Sequence, residues 1–357
     1  MHRRICLLVL LCLLVAAPIA SAHQTKTEQL DQYLQACTDL KRFSGSVLVA
    51  KDGRIILKKG YGLANYELNV PCTPQTKYRI GSLTKQFTAL AIMQLVDRGL
   101  LSVTDPVQKY LPDYPNGDKI TLFHLLTHTS GIPDYTSDPS FLIRAMAPVS
   151  VDELIASFRD RPLAFPPGAE FDYSNSGYVL LGKIIEIVTG EYYDIYLAKH
   201  ILTPLGLTET GYDLGVPLLP NRASGYLRGS DSLLNALHMD MSHLYAAGAM
   251  YSTVEDLYRW DRALYGPTII SPDSLEQILS PQVAGYGYGW YIFDVFDRYC
   301  TMHGGVAGGF SSLLMRFPAD DAVIIILSNL GNAPVERIAR DLAAIIFDQP
   351  YVMPQRK

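Results

Sequence analysis

Cysteine is scarce in this chain: there are five in 357 residues, and Cys6 and Cys12 fall inside one apolar N-terminal stretch. The remaining three, Cys37, Cys72 and Cys300, are an odd number, which excludes a complete disulfide framework and leaves one bridge or three buried thiols open. Their spacings match no zinc site. Positive charge is also short, with 30 Lys and Arg against 35 Asp and Glu and no basic stripe, so nucleic acid is not an expected partner. Internal repeats and low-complexity tracts are missing. So is any apolar run long enough to cross a bilayer. The one candidate, residues 5–20, has sixteen residues and carries Pro18 near its end, short of the roughly 20 that a membrane helix needs.

That N-terminal run has a different reading. His2-Arg3-Arg4 precedes it and Ala20-Ser21-Ala22 follows it, a positive start and a small-residue cleavage site. The expectation is a signal peptide over residues 1–22, cleaved after Ala22, and a secreted or periplasmic protein with no stable membrane anchor afterwards. Loss of Arg3 and Arg4 leaves a mature charge near −7. Leu11 before Cys12 argues against a lipid-attachment site. Of the whole chain, 48% is apolar and 18% charged, an ordinary globular balance that can bury a large core.

Past the leader, Leu30, Tyr33, Leu34, Cys37 and Leu40 recur at helical spacing. Residues 46–50 and 55–57 flank Asp52-Gly53, a strong hairpin signal. From Ser82 the pattern becomes mostly helical for some 150 residues: an apolar helix stopped by Gly99, short helices punctuated by proline, a long helix over 177–189 and another over 191–201. Residues 208–245 read as a long loop lining something. Strands return at 286–293, 298–303, 310–317 and 322–327, and Val335, Ile338, Leu342, Ile345 and Ile346 mark a closing helix. Consecutive strands on short turns imply antiparallel pairing. The expected class is therefore α/β (α+β): an antiparallel β-sheet flanked by N- and C-terminal helices, with an inserted, mainly helical domain. The boundaries place a sheet subdomain at 23–81 and 246–357 and a helical subdomain at 82–245, with a site in the seam between them.

Three stretches carry candidate chemistry. In Ile80-Gly81-Ser82-Leu83-Thr84-Lys85, Ser82 and Lys85 are three apart and share one helical face. A serine hydroxyl needs a base, and Lys85 can serve only if burial or a cationic neighbour lowers its pKa by about 3 units. If it stays charged, it can instead lower the pKa of a tyrosine. In Phe171-Asp172-Tyr173-Ser174-Asn175-Ser176-Gly177, a polar elbow precedes an apolar helix. Tyr173 is a candidate base and Asn175 a candidate amide for holding substrate or Lys85, although Ser174 or Asn175 also suits a plain helix cap. In Met302-His303-Gly304-Gly305-Val306-Ala307-Gly308-Gly309, a strand meets glycines that can let a substrate lie against backbone. His303 offers a proton or a hydrogen bond there.

With these motifs in this order, the chain resembles the serine β-lactamase-like and penicillin-binding family, in the class C-related branch that includes DD-carboxypeptidases, esterases and D-aminopeptidases. The resemblance spans about residues 38–347 and also includes Leu125-Leu126-Thr127-His128-Thr129-Ser130-Gly131-Ile132, Phe165-Pro166-Pro167-Gly168, Pro204-Leu205-Gly206-Leu207 and Ala247-Gly248-Ala249-Met250-Tyr251-Ser252. It implies Ser82 as the acylated nucleophile and Lys85 with Tyr173 as a coupled acid/base pair. It implies Asn175 and His303 as substrate-side groups, and Gly305 with the backbone N–H groups of Ser82 and Val306 at the oxyanion hole. No metal and no cofactor are implied; His124 and His128 are four apart but lack the intervening glutamate of a zinc motif. The chain departs from the β-lactamase pattern at His303-Gly304-Gly305, where Lys-Thr-Gly is usual, which removes a permanent cation and a hydroxyl. The expectation is a secreted serine hydrolase acting on a small molecule or a peptide, cell-wall peptide included, at a D-Ala-D-Ala, D-amino-acid or ester bond. A β-lactamase, and a non-catalytic receptor or structural protein, are the alternatives.

Overall fold

A computed structural model describes residues 24–355, apart from Asp231, Pro267 and Thr268. The expected signal peptide therefore lies outside the described residues. Six strands form the main sheet: β1 (Gly45–Lys51), β2 (Arg54–Tyr61), β3 (Tyr291–Val295), β4 (Arg298–Ala307), β5 (Phe310–Phe317) and β6 (Ala322–Ser328). Their order is β3-β4-β5-β6-β1-β2, and every neighbouring pair is antiparallel. The sheet thus joins both ends of the chain where β1 meets β6, Gly45 opposite Ser328. At the β1–β2 turn, Asp52 and Gly53 both take positive φ, 52° and 69°, which is the geometry that Asp-Gly favours in a tight hairpin.

Both faces of the sheet are covered, so its central strands are apolar throughout rather than alternating. Val47, Val49, Leu313, Met315, Ile324 and Ile326 point into a core beneath two terminal helices, α1 (Lys26–Asp39) and α5 (Val335–Ile346). The Tyr33 hydroxyl and the Asp341 carboxylate tie these two helices together at 2.5 Å. Leu48, Ala50, Leu314, Val323, Ile325 and Leu327 point the other way, into a larger core shared with α2 (Thr84–Asp97), α3 (Asn175–Thr189) and α4 (Val254–Ala263). A small three-stranded sheet, Tyr78–Arg79, Met250–Ser252 and Gly211–Tyr212, lies where the chain leaves the main sheet and where it returns.

Three segments differ from the sequence expectation. Between α2 and α3 the helices are short, as expected, among them Leu122–Leu126, Phe141–Arg144 and Val151–Ala156, but they cover little of a stretch expected to be mostly helical. Prolines recur through that stretch, and each removes a helical donor. The expected helix over 191–201 splits into Tyr193–Leu197 and a wider turn, Ala198–Leu202. The expected strand over 286–293 begins only at Tyr291, because Gly289 takes φ 79° and packs on the backbone of Lys85. Cys37, Cys72 and Cys300 are three separate, buried thiols. No described helix is long and apolar enough to cross a membrane.

Candidate active site

Ser82 sits in a one-turn 3-10 helix, Gly81–Leu83, that leads directly into α2. The backbone of β4 passes unusually close to this turn. A Cβ at Gly81 would stand 2.7 Å from the Val306 nitrogen, and Gly81 also has φ 51°. A Cβ at Gly305 would stand 2.1 Å from the Ile80 oxygen and 2.9 Å from the Ser82 nitrogen. Only glycine allows both approaches, and the result sets the Val306 backbone beside that of Ser82.

The first ten residues of α2 are all buried. A helix enclosed on every side is a core helix, and this one carries Lys85 into the interior with no exposed surface. All three donors of its ammonium group have acceptors: Ser82 Oγ at 3.2 Å, Asn175 Oδ1 at 2.7 Å and the Ala247 carbonyl at 2.8 Å. Burial lowers its pKa to about 7, against the opposing pull of the Asp134 carboxylate. The fall is about the 3 units that neutral-lysine chemistry requires.

Tyr173 and Asn175 come from the elbow before α3. Ser174 occupies the N-cap position, yet its side chain makes no cap hydrogen bond, so the plain capping explanation fails for it. The elbow is held instead by His128, whose Nδ1 accepts from the Ser174 N–H at 3.1 Å. Asn175 links Lys85 to Asp134: its amide nitrogen donates to the two Asp134 oxygens at 3.3 and 3.2 Å and to Thr136 Oγ1 at 3.2 Å. Asp134 also accepts the Asn175 backbone N–H at 3.3 Å. The Tyr173 ring lies 4.9 Å from Lys85 Nζ, and its hydroxyl is buried next to the Ser82 hydroxyl. Burial pushes that phenol's pKa well above the ordinary tyrosine value, with the nearby Ser82 hydroxyl opposing.

His303 stands behind this layer. It is 2% exposed, its ring centroid lies 6.1 Å from that of Tyr173, and it does not line the cavity that opens at Ser82. Its Nδ1 faces the Gly304 carbonyl at 2.6 Å and its Nε2 the Tyr286 hydroxyl at 3.1 Å. Because the carbonyl can only accept, Nδ1 carries the proton and Nε2 accepts from Tyr286. Burial, then the Lys85 charge, lowers its pKa to about 3, so it is neutral at physiological pH. His124 and His128 part company: the first accepts the Thr121 N–H, and the second packs among Tyr173, Tyr178 and Tyr286.

The structure thus brings Ser82, Lys85, Tyr173, Asn175, Gly305 and Val306 to one point and sets His303 one layer back. Sequence reasoning missed Asp134. Its only signal was Pro133-Asp134 beside Tyr135, which reads as an ordinary turn. A cavity of about 560 Å³ opens from Ser82, Asn175 and Val306.

The chain matches the β-lactamase family over residues 30–347. It is 34% identical over 313 residues to PbpX, a proposed penicillin-binding protein of Bacillus subtilis (strain 168), covering 87% of this chain and 77% of that one. Among solved structures it superposes on the octameric penicillin-binding protein homologue from Pyrococcus abyssi with a TM-score of 0.81 and 32% identity, over 90% of this chain and 77% of that chain. A D-stereospecific amidohydrolase from Streptomyces sp. superposes with a TM-score of 0.76 and 25% identity, over 91% and 99% of the two chains.

Proposed function

Since the chain belongs to the β-lactamase family, we propose that it is a serine hydrolase that cleaves an amide or ester bond through an acyl-enzyme on Ser82. The reading rests on one observation above the others: a lysine with no solvent exposure, its pKa lowered to about 7, holds its nitrogen 3.2 Å from the serine hydroxyl.

The two candidate bases separate on electrostatics. Tyr173 is pushed upward and stays a phenol, whereas Lys85 is pushed downward and is neutral in a large fraction at pH 7. Lys85 is therefore the base and Tyr173 the proton donor. Ser82 Oγ gives its proton to Lys85 and bonds to the substrate carbonyl carbon. The resulting oxyanion lies against the backbone N–H groups of Ser82 and Val306, an arrangement typically worth about 3–4 kcal/mol. As the carbon–nitrogen or carbon–oxygen bond breaks, the departing group takes a proton from Tyr173, which regains one from Lys85. Water then enters: its oxygen bonds to the acyl carbon as it gives a proton to the same pair, the Ser82 Oγ–carbon bond breaks, and the pair returns that proton to Ser82 Oγ, releasing the acid.

The similarity to a D-stereospecific amidohydrolase and to penicillin-binding proteins supports D-amino-acid amides, D-peptides and small esters as substrates. His303 acts behind Tyr173 in this reading, holding the ring layer in place rather than touching substrate. A secreted or periplasmic location, with the leader removed after Ala22, accompanies the proposal. The test is exposure to a small fluorophosphonate followed by peptide mass mapping. One adduct on Ser82 supports the reading, and a folded protein with no adduct refutes it.

A further inference from the structure

The cavity at Ser82 draws apolar side chains from two segments of the chain. Phe141 and Leu142 come from one, and Leu227, Leu237 and Met239 from the segment after Ala223. Leu142 and Leu237 leave 54% and 61% of their surface exposed, although isolated leucines on a cleft lining gain by being covered. No lysine or arginine of the described residues lines the space. The neighbouring cations are already engaged. Arg144 and Arg161 sit on Asp138, at 3.4 and 2.8 Å. Arg79, whose guanidinium lies behind Gly308, is held by Asp213 at 2.9 Å and the Met239 carbonyl at 3.2 Å. Lys85 has spent all its donors below the floor. Asp138 and His238 are the titratable side chains on the lining itself, and Ser82, Thr136 and Asn175 supply its other polar groups.

We propose that this cavity receives an uncharged, apolar group of the substrate, and that substrates carrying a carboxylate there are discriminated against. The inference rests on the serine-hydrolase reading above and names the substrate class within it. A carboxylate entering the space would shed water without meeting a free cation, because Arg144 and Arg161 are already taken up by Asp138, and that is unfavourable. An aliphatic chain meets leucine, phenylalanine and methionine instead, and a volume near 560 Å³ lies within the range of small-ligand pockets.

The test is a panel of p-nitrophenyl esters with acetyl, butyryl, hexanoyl and octanoyl groups, beside the monoesters of succinate and adipate. A second series holds the acyl group at acetyl and lengthens the alcohol, because either side of the scissile bond can occupy the cavity. In one of the two series, kcat/KM is expected to rise about two- to fourfold per methylene until the cavity is filled. In the series that shows this rise, the carboxylate-bearing member, the succinate monoester on the acyl side or the acetyl ester of a hydroxy acid on the alcohol side, is expected to fall at least tenfold below its neutral counterpart of equal length. Leu142→Arg places a cation on the exposed part of the lining and is expected to raise that carboxylate-to-neutral ratio at least fivefold. Flat profiles in both series, carboxylate esters of the responsive series that react as fast as their neutral counterparts, or an unchanged ratio in Leu142→Arg would each overturn the inference. Fluorophosphonate labelling of Ser82 in the same preparation separates the two levels: labelling with flat profiles removes only the apolar subsite, and no labelling removes the hydrolase reading beneath it.

Discussion

Asp134 and Asn175 are joined by both carboxylate oxygens, 3.3 and 3.2 Å from the amide nitrogen. This contact decides which end of Asn175 faces Lys85. A carboxylate can only accept, so the amide nitrogen turns to Asp134 and the amide oxygen is left for Lys85 Nζ at 2.7 Å. Asp134 is thus a positioning residue for the lysine.

Its replacement has two separable effects. Asp134→Asn no longer fixes the orientation of the Asn175 amide, and kcat is expected to fall roughly 10- to 100-fold, in line with the loss of a charge-assisted hydrogen bond worth about 1.5–3 kcal/mol. The Asp134 charge raises the pKa of Lys85, so its removal lowers that pKa further. The acidic limb of the activity profile should therefore move to lower pH. A purely structural role would reduce activity without moving the limb, and an unmoved limb would exclude the electrostatic part of the assignment.

Tyr173→Phe should separate stability from activity. The hydroxyl is buried beside the Ser82 hydroxyl, so deleting it removes at most one weak hydrogen bond, and thermal stability is expected to change by no more than about 1 kcal/mol. Turnover should fall by about 10²–10⁴ if the phenol supplies the leaving-group proton. Calorimetry beside steady-state kinetics checks this. A variant that retains full turnover removes Tyr173 from the mechanism.

Lys85 links the site to the pH dependence of folding. Its folded pKa, about 7, lies below the 10.5 of a free lysine. Between these values the unfolded chain holds a proton that the folded chain has released, so stability contributed by this group rises with pH across that window. Across the whole window it amounts to about 4–5 kcal/mol. In Lys85→Met that rise should be missing. Denaturant melts of both proteins between pH 6 and 10 give the comparison, and parallel curves would show that Lys85 is charged in the folded state.

Much of the fold was legible because it depends on local rules. Asp52-Gly53 sets a hairpin through its positive φ angles, and Gly99 follows the last turn of α2. The hydrophobic periods of the two terminal helices appear in the sequence as they do in the structure. The stretch after Tyr286 misled for a physical reason. Tyr286, Tyr288 and Trp290 alternate with glycines as in a half-buried strand, but the aromatic rings pack inward while Gly287 and Gly289 let the chain press against its neighbours. Ser82, Lys85, Tyr173 and Asn175 were legible as motif residues. Asp134 was not, since its partner is 41 positions away and its own surroundings look like a turn. The placement of His303 behind Tyr173 was hidden as well, because strand alternation assigns a face but not the depth of the layer above it. The cavity walls were partly visible: the loop expected at 208–245 does line a space, and it contains a short hairpin, Tyr226–Arg228 with Leu233–Asn235.

The most direct measurement is the rate of Ser82 acylation by a p-nitrophenyl ester, followed by stopped flow between pH 5 and 10 and paired with intact mass to count adducts. With Lys85 as a buried, neutral base, the expected result is one adduct per chain and a burst rate that rises with an apparent pKa near 7. In Lys85→Arg, whose guanidinium cannot give up its proton, the burst should disappear. A rate that climbs only toward pH 10, or a burst of undiminished size in the arginine variant, would contradict the assignment of Lys85 as the group that activates Ser82.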